Sequence, residues 1–221
     1  VNTGPAGGRY KFSIQSRGKG TFMFGHVIGL LIDPQAQWQK IGSLSDDALR
    51  RLLLYPILMG LLPAIGFYVG TTQVGWQVIG DDVTRITPGS AIPLAVLFYA
   101  ALMGALIFIG WMIHWMSSTY GAESFFIKGV VLMGYACTPV FLAGLFAVYP
   151  VWWFDVLLAI AAGSYAIRLL YLGIPPVMKV PEDRGFLYAS AVFMMALVYV
   201  VVVLSATAIL WEYVAPPVFT D

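Results

Sequence analysis

The side chains of this chain that suit metal or covalent chemistry are few and scattered. His26, His114 and Cys137 are the soft-ligand inventory, spread over three segments. A metal site needs three or four His, Cys, Asp or Glu ligands at close quarters, and no spacing here gathers them. A haem between His26 and His114 requires a facing pair, and nothing in the sequence fixes their distance, so both read as interfacial histidines. Ser117 and Ser118 lie close to His114, with Glu123 following. No strand–turn–helix context supports a triad, and hydroxyls near a helix end cap it or bond its backbone. Proton-coupled transport needs a carboxylate buried at mid-membrane. Asp81 and Asp82 fall in a loop, while Asp155 and Glu212 sit at helix ends. The expectation is no catalytic activity, no cofactor and no metal.

The most distinctive polar constellation is Gly134-Tyr135-Ala136-Cys137-Thr138-Pro139. Pro139 lacks the N–H that would reach the carbonyl of Tyr135, and its ring crowds that carbonyl. The helix is expected to kink there and free a carbonyl near the Thr138 hydroxyl and the Tyr135 phenol. One reading is a packing kink sealed by Thr138. The other is a polar hinge or a contact for a cation or solute, with Gly134, Tyr135, Thr138 and Pro139 as its residues.

These residues belong to a membrane chain. Hydrophobic residues make up 60% and charged residues 10% of the sequence, with a mean hydropathy of +0.83. Soluble domains are roughly 45–50% apolar and about 25% charged. Twelve Lys and Arg against eleven Asp and Glu leave no basic surplus for phosphates, which excludes nucleic-acid binding. One cysteine excludes a disulfide framework. A spanning helix takes about 20 apolar residues. Five such runs are present, at about 49–70, 91–116, 126–149, 151–172 and 182–212. The fourth carries Asp155 and Arg168 near its expected ends, where each can snorkel to its nearer interface. The fold class is therefore all-α, a polytopic bundle of five transmembrane helices.

Lys and Arg set the orientation. Arg9, Lys11, Arg17, Lys19, Lys40, Arg50 and Arg51 precede the first span, and Lys128, Arg168, Lys179 and Arg184 fall on the same side, leaving Arg85 opposite. This asymmetry predicts a cytoplasmic N-terminus and a periplasmic C-terminus. Residues 1–21 read as a disordered basic tail or vector-derived sequence. Residues 22–48 read as a cytoplasmic interfacial segment, with Asp33-Pro34 opening a short helix and Trp38 and Lys40 at headgroup level. Ser45, Asp46 and Asp47 form the cap and acidic first turn of the first span. In the loop 70–90, Trp76-Gln77-Val78 and Val83-Thr84-Arg85 flank Gly80-Asp81-Asp82 as a small hairpin. Gly173-Ile174-Pro175-Pro176 is expected to end the fourth helix, and Pro181 with Glu182 and Asp183 to open the fifth. Gly66 and Gly70 form a GxxxG, read first as packing inside the chain, with homodimerisation as the alternative.

The GYxxxP pattern of Gly134, Tyr135 and Pro139 resembles the third-span motif of the Yip family, the Ypt/Rab-interacting membrane proteins. The stretch 170–184, with Pro175, Pro176, Lys179, Glu182, Asp183 and Arg184, is similar to the loop of its bacterial members, as are Pro34 and Trp38. The likeness runs over about residues 25–210. It implies five spans, a cytoplasmic N-terminus, a bacterial inner membrane and no catalysis. Eukaryotic relatives bind prenylated small GTPases through a DLYGP-type motif. That motif is absent here beyond Asp33-Pro34, so GTPase binding does not carry over. The reading is a membrane-organising or partner-binding scaffold. Pro175, Pro176, Lys179, Glu182, Asp183 and Arg184 would form its partner surface, and the lipid bilayer, a membrane protein or a second copy would be its partners. The alternative is a small homo-oligomeric transporter or channel, with Tyr135, Thr138 and the Pro139 kink lining the path.

Overall fold

The computed structural model describes residues 21–77, 83–123, 125–214 and 216–220. The tail 1–20 and the hairpin tip at Gly80-Asp81-Asp82 lie outside the described residues. Four apolar helical segments are long enough to cross a bilayer: Asp46–Val74, Pro88–Tyr120, Trp152–Met178 and Glu182–Tyr213. Phe126–Ala136 and Thr138–Val148, which meet at a bend of 46°, are together long and apolar enough to make a fifth. In chain order the helices are α1 (Thr21–Ile32), α2 (Pro34–Gly42), α3 (Asp46–Leu52), α4 (Leu54–Met59), α5 (Leu61–Val69), α6 (Pro88–Tyr120), α7 (Phe126–Ala136), α8 (Thr138–Gly144), α9 (Trp152–Met178) and α10 (Glu182–Ile209). The first span is α3 to α5 and the third is α7 with α8; the others are single helices.

Local chemistry sets many of these ends. Asp33 accepts the Ala36 N–H at 3.2 Å, and Pro34 opens α2 with its φ already helical. Asp46 and Asp47 occupy the first turn of α3, and Gly121 ends α6 in the left-handed region at φ 68°. Pro56 and Pro63 withdraw donors within the first span, which is broken at Leu53 and Gly60. The Tyr99 hydroxyl donates to the Ile57 carbonyl beside that break, at 3.1 Å.

One end of the bundle gathers Arg50, Arg51, Lys128, Lys179 and Arg184 and is called the basic end below. At the far end, Trp76 and Thr84 exchange backbone bonds of 3.0 and 2.9 Å, which fits a hairpin. A short strand β1 (Arg85–Ile86) then pairs antiparallel with β2 (Phe219–Thr220), tying the chain's C-terminal segment to this loop. The GxxxG is used within the chain. Gly66 meets the Gly144 carbonyl and Gly70 the Ala147 carbonyl, so the first span closes directly on the outer half of the third.

Two features differ from the sequence reading. Trp38 does not sit among headgroups. It is fully buried, because α2 lays Pro34, Gln37, Trp38 and Ile41 against the bundle and its ring fills the space over Gly173 of α9. Nor does the fourth helix end at Pro175-Pro176: α9 continues through both prolines to Met178. The prolines deprive only the carbonyls of Tyr171 and Leu172 of helical donors, within the last turns. Packing against α2, where Gly42 meets the Pro176 carbonyl, holds the turn in place. Lys179 then ends the helix in the left-handed region at φ 54°. The longer helix leaves Arg168 ten residues from its end rather than four from the expected one, about 15 Å along the axis.

The contact of Trp38 with Gly173 gives a direct prediction. A Cβ at Gly173 would lie 2.8 Å from the indole Cε2, whereas a Cβ at Gly163 of the same helix would meet nothing within 4 Å. Gly173→Ala is expected to lower stability by about 1–3 kcal/mol. Gly163→Ala should be neutral or slightly stabilising. Thermal melts of both variants in detergent check this, and equal melting temperatures would refute it.

Candidate functional site

The third span is where the sequence places its chemistry, and there the polar groups meet one another. Pro139 leaves the Tyr135 carbonyl without its helical donor, and the Thr138 hydroxyl supplies one at 2.7 Å. The Tyr55 hydroxyl, from the first span, donates in turn to Thr138 Oγ1 at 2.8 Å. Tyr55 and Tyr135 stack with ring centroids 4.3 Å apart and planes at 17°. Gly134 makes room: a Cβ there would stand 2.7 Å from Pro56 Cβ. Thr138, Tyr55 and Tyr135 are all fully buried. Among the described residues, the Tyr135 hydroxyl itself meets no hydrogen-bond partner. His26 of α1 presents its ring edge-on to Tyr135 at 6.3 Å, with its Nδ1 against the Gln37 side-chain amide. The four hinge candidates thus form one sealed bend. Tyr55 and Pro56, which close it from the first span, were missed in the sequence. Their signal, an aromatic–proline pair opposite a glycine–aromatic pair, has meaning only once the two helices are known to touch.

The second constellation lies at the basic end. Glu123, in the turn between α6 and α7, bonds Lys128 Nζ at 2.6 Å and Lys179 Nζ at 2.8 Å. Its backbone N–H also donates to the Met178 carbonyl at 3.0 Å. One carboxylate therefore joins the start of α7 to the end of α9. The two lysine bonds, Lys128 first, hold the Glu123 carboxyl down at about 2, well below the usual glutamate range. Lys128 is almost fully buried, while Lys179 is exposed. The Arg50 guanidinium stands over the Phe125 ring at 5.8 Å, and Arg184 reaches toward Gly121. Sequence reasoning placed Glu123 beside His114 and the serines and so missed this clamp. The five-residue separation of Glu123 and Lys128 was the available signal.

Next to the clamp, α2, the end of α9 and the start of α10 enclose a groove of about 700 Å³. Its walls include Gln35, Gln39, Pro175, Pro176, Glu182 and Phe186. Of the predicted partner residues, Pro175, Pro176 and Glu182 line the groove. Lys179 serves the clamp, and Asp183 and Arg184 lie exposed in the first turn of α10. Among the described residues, no group of three or more His, Cys, Asp or Glu is placed to hold a metal ion. His26 packs on Tyr135, whereas His114 meets the ring of Phe126, so the two face different partners.

Comparison with known proteins now fits this geometry to a family. The Yip1 domain matches residues 28–204, a stretch that holds the first four spans, most of the fifth, the sealed bend and the clamp. The chain belongs to the Yip family. The chain is 32% identical over 188 residues to "Inner membrane protein YohC" of Escherichia coli strain K12, covering 85% of this chain and 96% of that protein. The same protein from Escherichia coli O6:H1 matches to the same extent. No solved structure matches the chain. The chain is an integral membrane protein of this family.

Two predictions follow from the geometry of this Yip1 domain. Thr138→Val removes the hydroxyl that Tyr55 and the Tyr135 carbonyl share, and should destabilise the protein by about 1–3 kcal/mol; Thr138→Ser should retain most of that. Melting temperatures in detergent decide it, and a stable valine variant would show the bend needs no hydroxyl. The Glu123 clamp should be pH-dependent. Its folded-state value near 2 lies below the ordinary 4.5, so its stabilisation is complete above pH 4.5 and lost as pH falls towards 2. Because Glu123 is half exposed, each pair is worth at most about 1 kcal/mol. The difference in melting temperature between wild type and Glu123→Gln should be present at pH 6 and gone near pH 2.

Proposed function

We propose that this chain is a non-enzymatic scaffold of a bacterial inner membrane, with its basic end cytoplasmic, which holds a membrane-protein partner or a second copy of itself. The observation that carries this reading is the Glu123 clamp. It fixes the turn between α6 and α7 to the end of α9 through Lys179 and leaves Glu182, Asp183 and Arg184 displayed beside it. A surface of opposite charges held in fixed positions suits recognition of a complementary partner surface. The placement of basic residues supports the orientation, and the name of the Escherichia coli relative supports the membrane.

The transport reading rests on the Pro139 bend and draws less support. The Tyr55 and Thr138 hydroxyls are engaged with each other and with the Tyr135 carbonyl, so the bend offers few free groups to a passing ion.

The scaffold reading is tested by placing a photo-crosslinking residue at Asp183 in native membranes, with one at lipid-facing Leu157 as control. A discrete protein adduct at position 183, absent at 157 and weakened by Glu123→Ala, is the expected result. Adducts with lipid alone at both positions would sink it.

A further inference from the structure

The outer side of the bundle carries a second groove, between the first span, α6 and α7, with a volume of about 420 Å³. Two close helix contacts create it. Gly110 of α6 admits Val130 of α7, since a Cβ at Gly110 would lie 2.9 Å from the Val130 Cα. Gly134 of α7 admits Pro56 of the first span in the same way. Both contacts draw α7 back between its two neighbours. Pro56, Leu106 and Val130 are buried and form the floor, while Ile57, Ile107 and Phe126 are exposed and form the rim.

The walls are hydrocarbon. The only hydroxyl, amide or charged group among the lining side chains is the Tyr99 hydroxyl, which donates to the Ile57 carbonyl at 3.1 Å. A polar solute would lose its hydration for little return, so the groove suits an alkyl chain. It follows α6 from Tyr99 to Ile107, eight residues or about 12 Å, in the direction of a lipid chain in its leaflet. Leu53 and Phe126 form its mouth, at the basic end. Arg50 lies one turn before Leu53 on the same face of the first span. Its guanidinium stands over the ring of Phe125, the neighbour of Phe126, 5.8 Å from the centroid. Arg50 is exposed, and among the described residues it forms no ion pair, even with Asp46 and Asp47 in the turn before it.

From this arrangement we infer that the groove binds one anionic phospholipid of the leaflet at the basic end, an acyl chain laid between the first span and α6 and the phosphate held by Arg50. Hydrocarbon within and a cation at the mouth match the order of chain and phosphate in a leaflet lipid. The guanidinium fork suits a phosphodiester, and its place over Phe125 keeps it at the mouth. An unpaired cation at headgroup level favours a headgroup of net negative charge over a zwitterionic one. The chain enters sideways from the bilayer across the exposed rim of Ile57 and Ile107. This inference goes beyond the scaffold reading and stands without it.

The test is native mass spectrometry of the full chain released from nanodiscs holding equal amounts of phosphatidylglycerol and phosphatidylethanolamine. Wild type should retain one phosphatidylglycerol in preference. Arg50→Gln should retain about fivefold less of it, while Arg50→Lys keeps an intermediate amount. Ile57→Trp and Ile107→Trp fill the groove from opposite rims, and each should retain several-fold less of both lipids. Arg184→Gln removes an equal charge from the same end but away from the groove, and should leave retention unchanged. All four side chains are exposed, so melting temperatures should stay near wild type, which separates lost binding from lost folding. Retention unchanged in Arg50→Gln would overturn the phosphate contact, and retention unchanged in both tryptophan variants would overturn the groove. Equal retention of the two lipids by wild type would overturn the anionic assignment. An equal fall in Arg184→Gln would reduce the effect to a general attraction of anionic lipid by the basic end, and would overturn the site too.

Discussion

A backbone carbonyl that loses its helical donor inside a bilayer has no water to turn to, and the architecture of this chain is organised around supplying substitutes. The Tyr135 carbonyl is the clearest case. Pro139 removes its donor, Thr138 replaces it from the next turn, and Tyr55 from another span holds Thr138 in place. Because Thr138 is itself held by a hydroxyl of the first span, the bend and the packing of the first and third spans support each other. Gly134 against Pro56, and Gly66 and Gly70 against the outer half of the third span, are the close contacts that this arrangement makes possible.

The same constraint takes a different form at the end of the fourth span. The carbonyls of Tyr171 and Leu172 are also without helical donors, but here they border a groove beside α2 and not a sealed core. One proline-generated defect is closed by side chains of the bundle, and the other opens towards the membrane near the charged end. The difference follows from position. Thr138 and Tyr55 sit where two spans cross, whereas Pro175 and Pro176 sit where α9 meets only the thin cover of α2 and the start of α10.

Span number, span order and the kink at Pro139 were legible in the sequence because each rests on a local property: a continuous apolar run, or the missing N–H of a single proline. The cap at Asp33 and the acidic first turn at Asp46 and Asp47 were legible for the same reason, whereas the Ser45 side chain makes no capping bond. What the sequence hid was relational. Pro175-Pro176 looks like a stop until the glycine contacts of α2 are seen to hold the helix together. Trp38 looks like a headgroup anchor until Gly173 is found beneath it. Glu123 draws attention through its serine and histidine neighbours, although its partners, Lys128 and Lys179, are five and fifty-six residues away. The pairing of Arg85–Ile86 with Phe219–Thr220 joins two short segments with no apolar alternation of their own to announce a strand.

The bond between Tyr55 and Thr138 joins residues 83 positions apart, and it has a direction in time as well as in space. Translation delivers the first span to the membrane before the third leaves the ribosome. The third span arrives as two half-helices, each too short to cross alone. The tyrosine that seals their junction is already waiting in the bilayer when they emerge. Membrane insertion of this protein is thus ordered by its own sequence: an early helix serves as the template on which a later, broken one is completed.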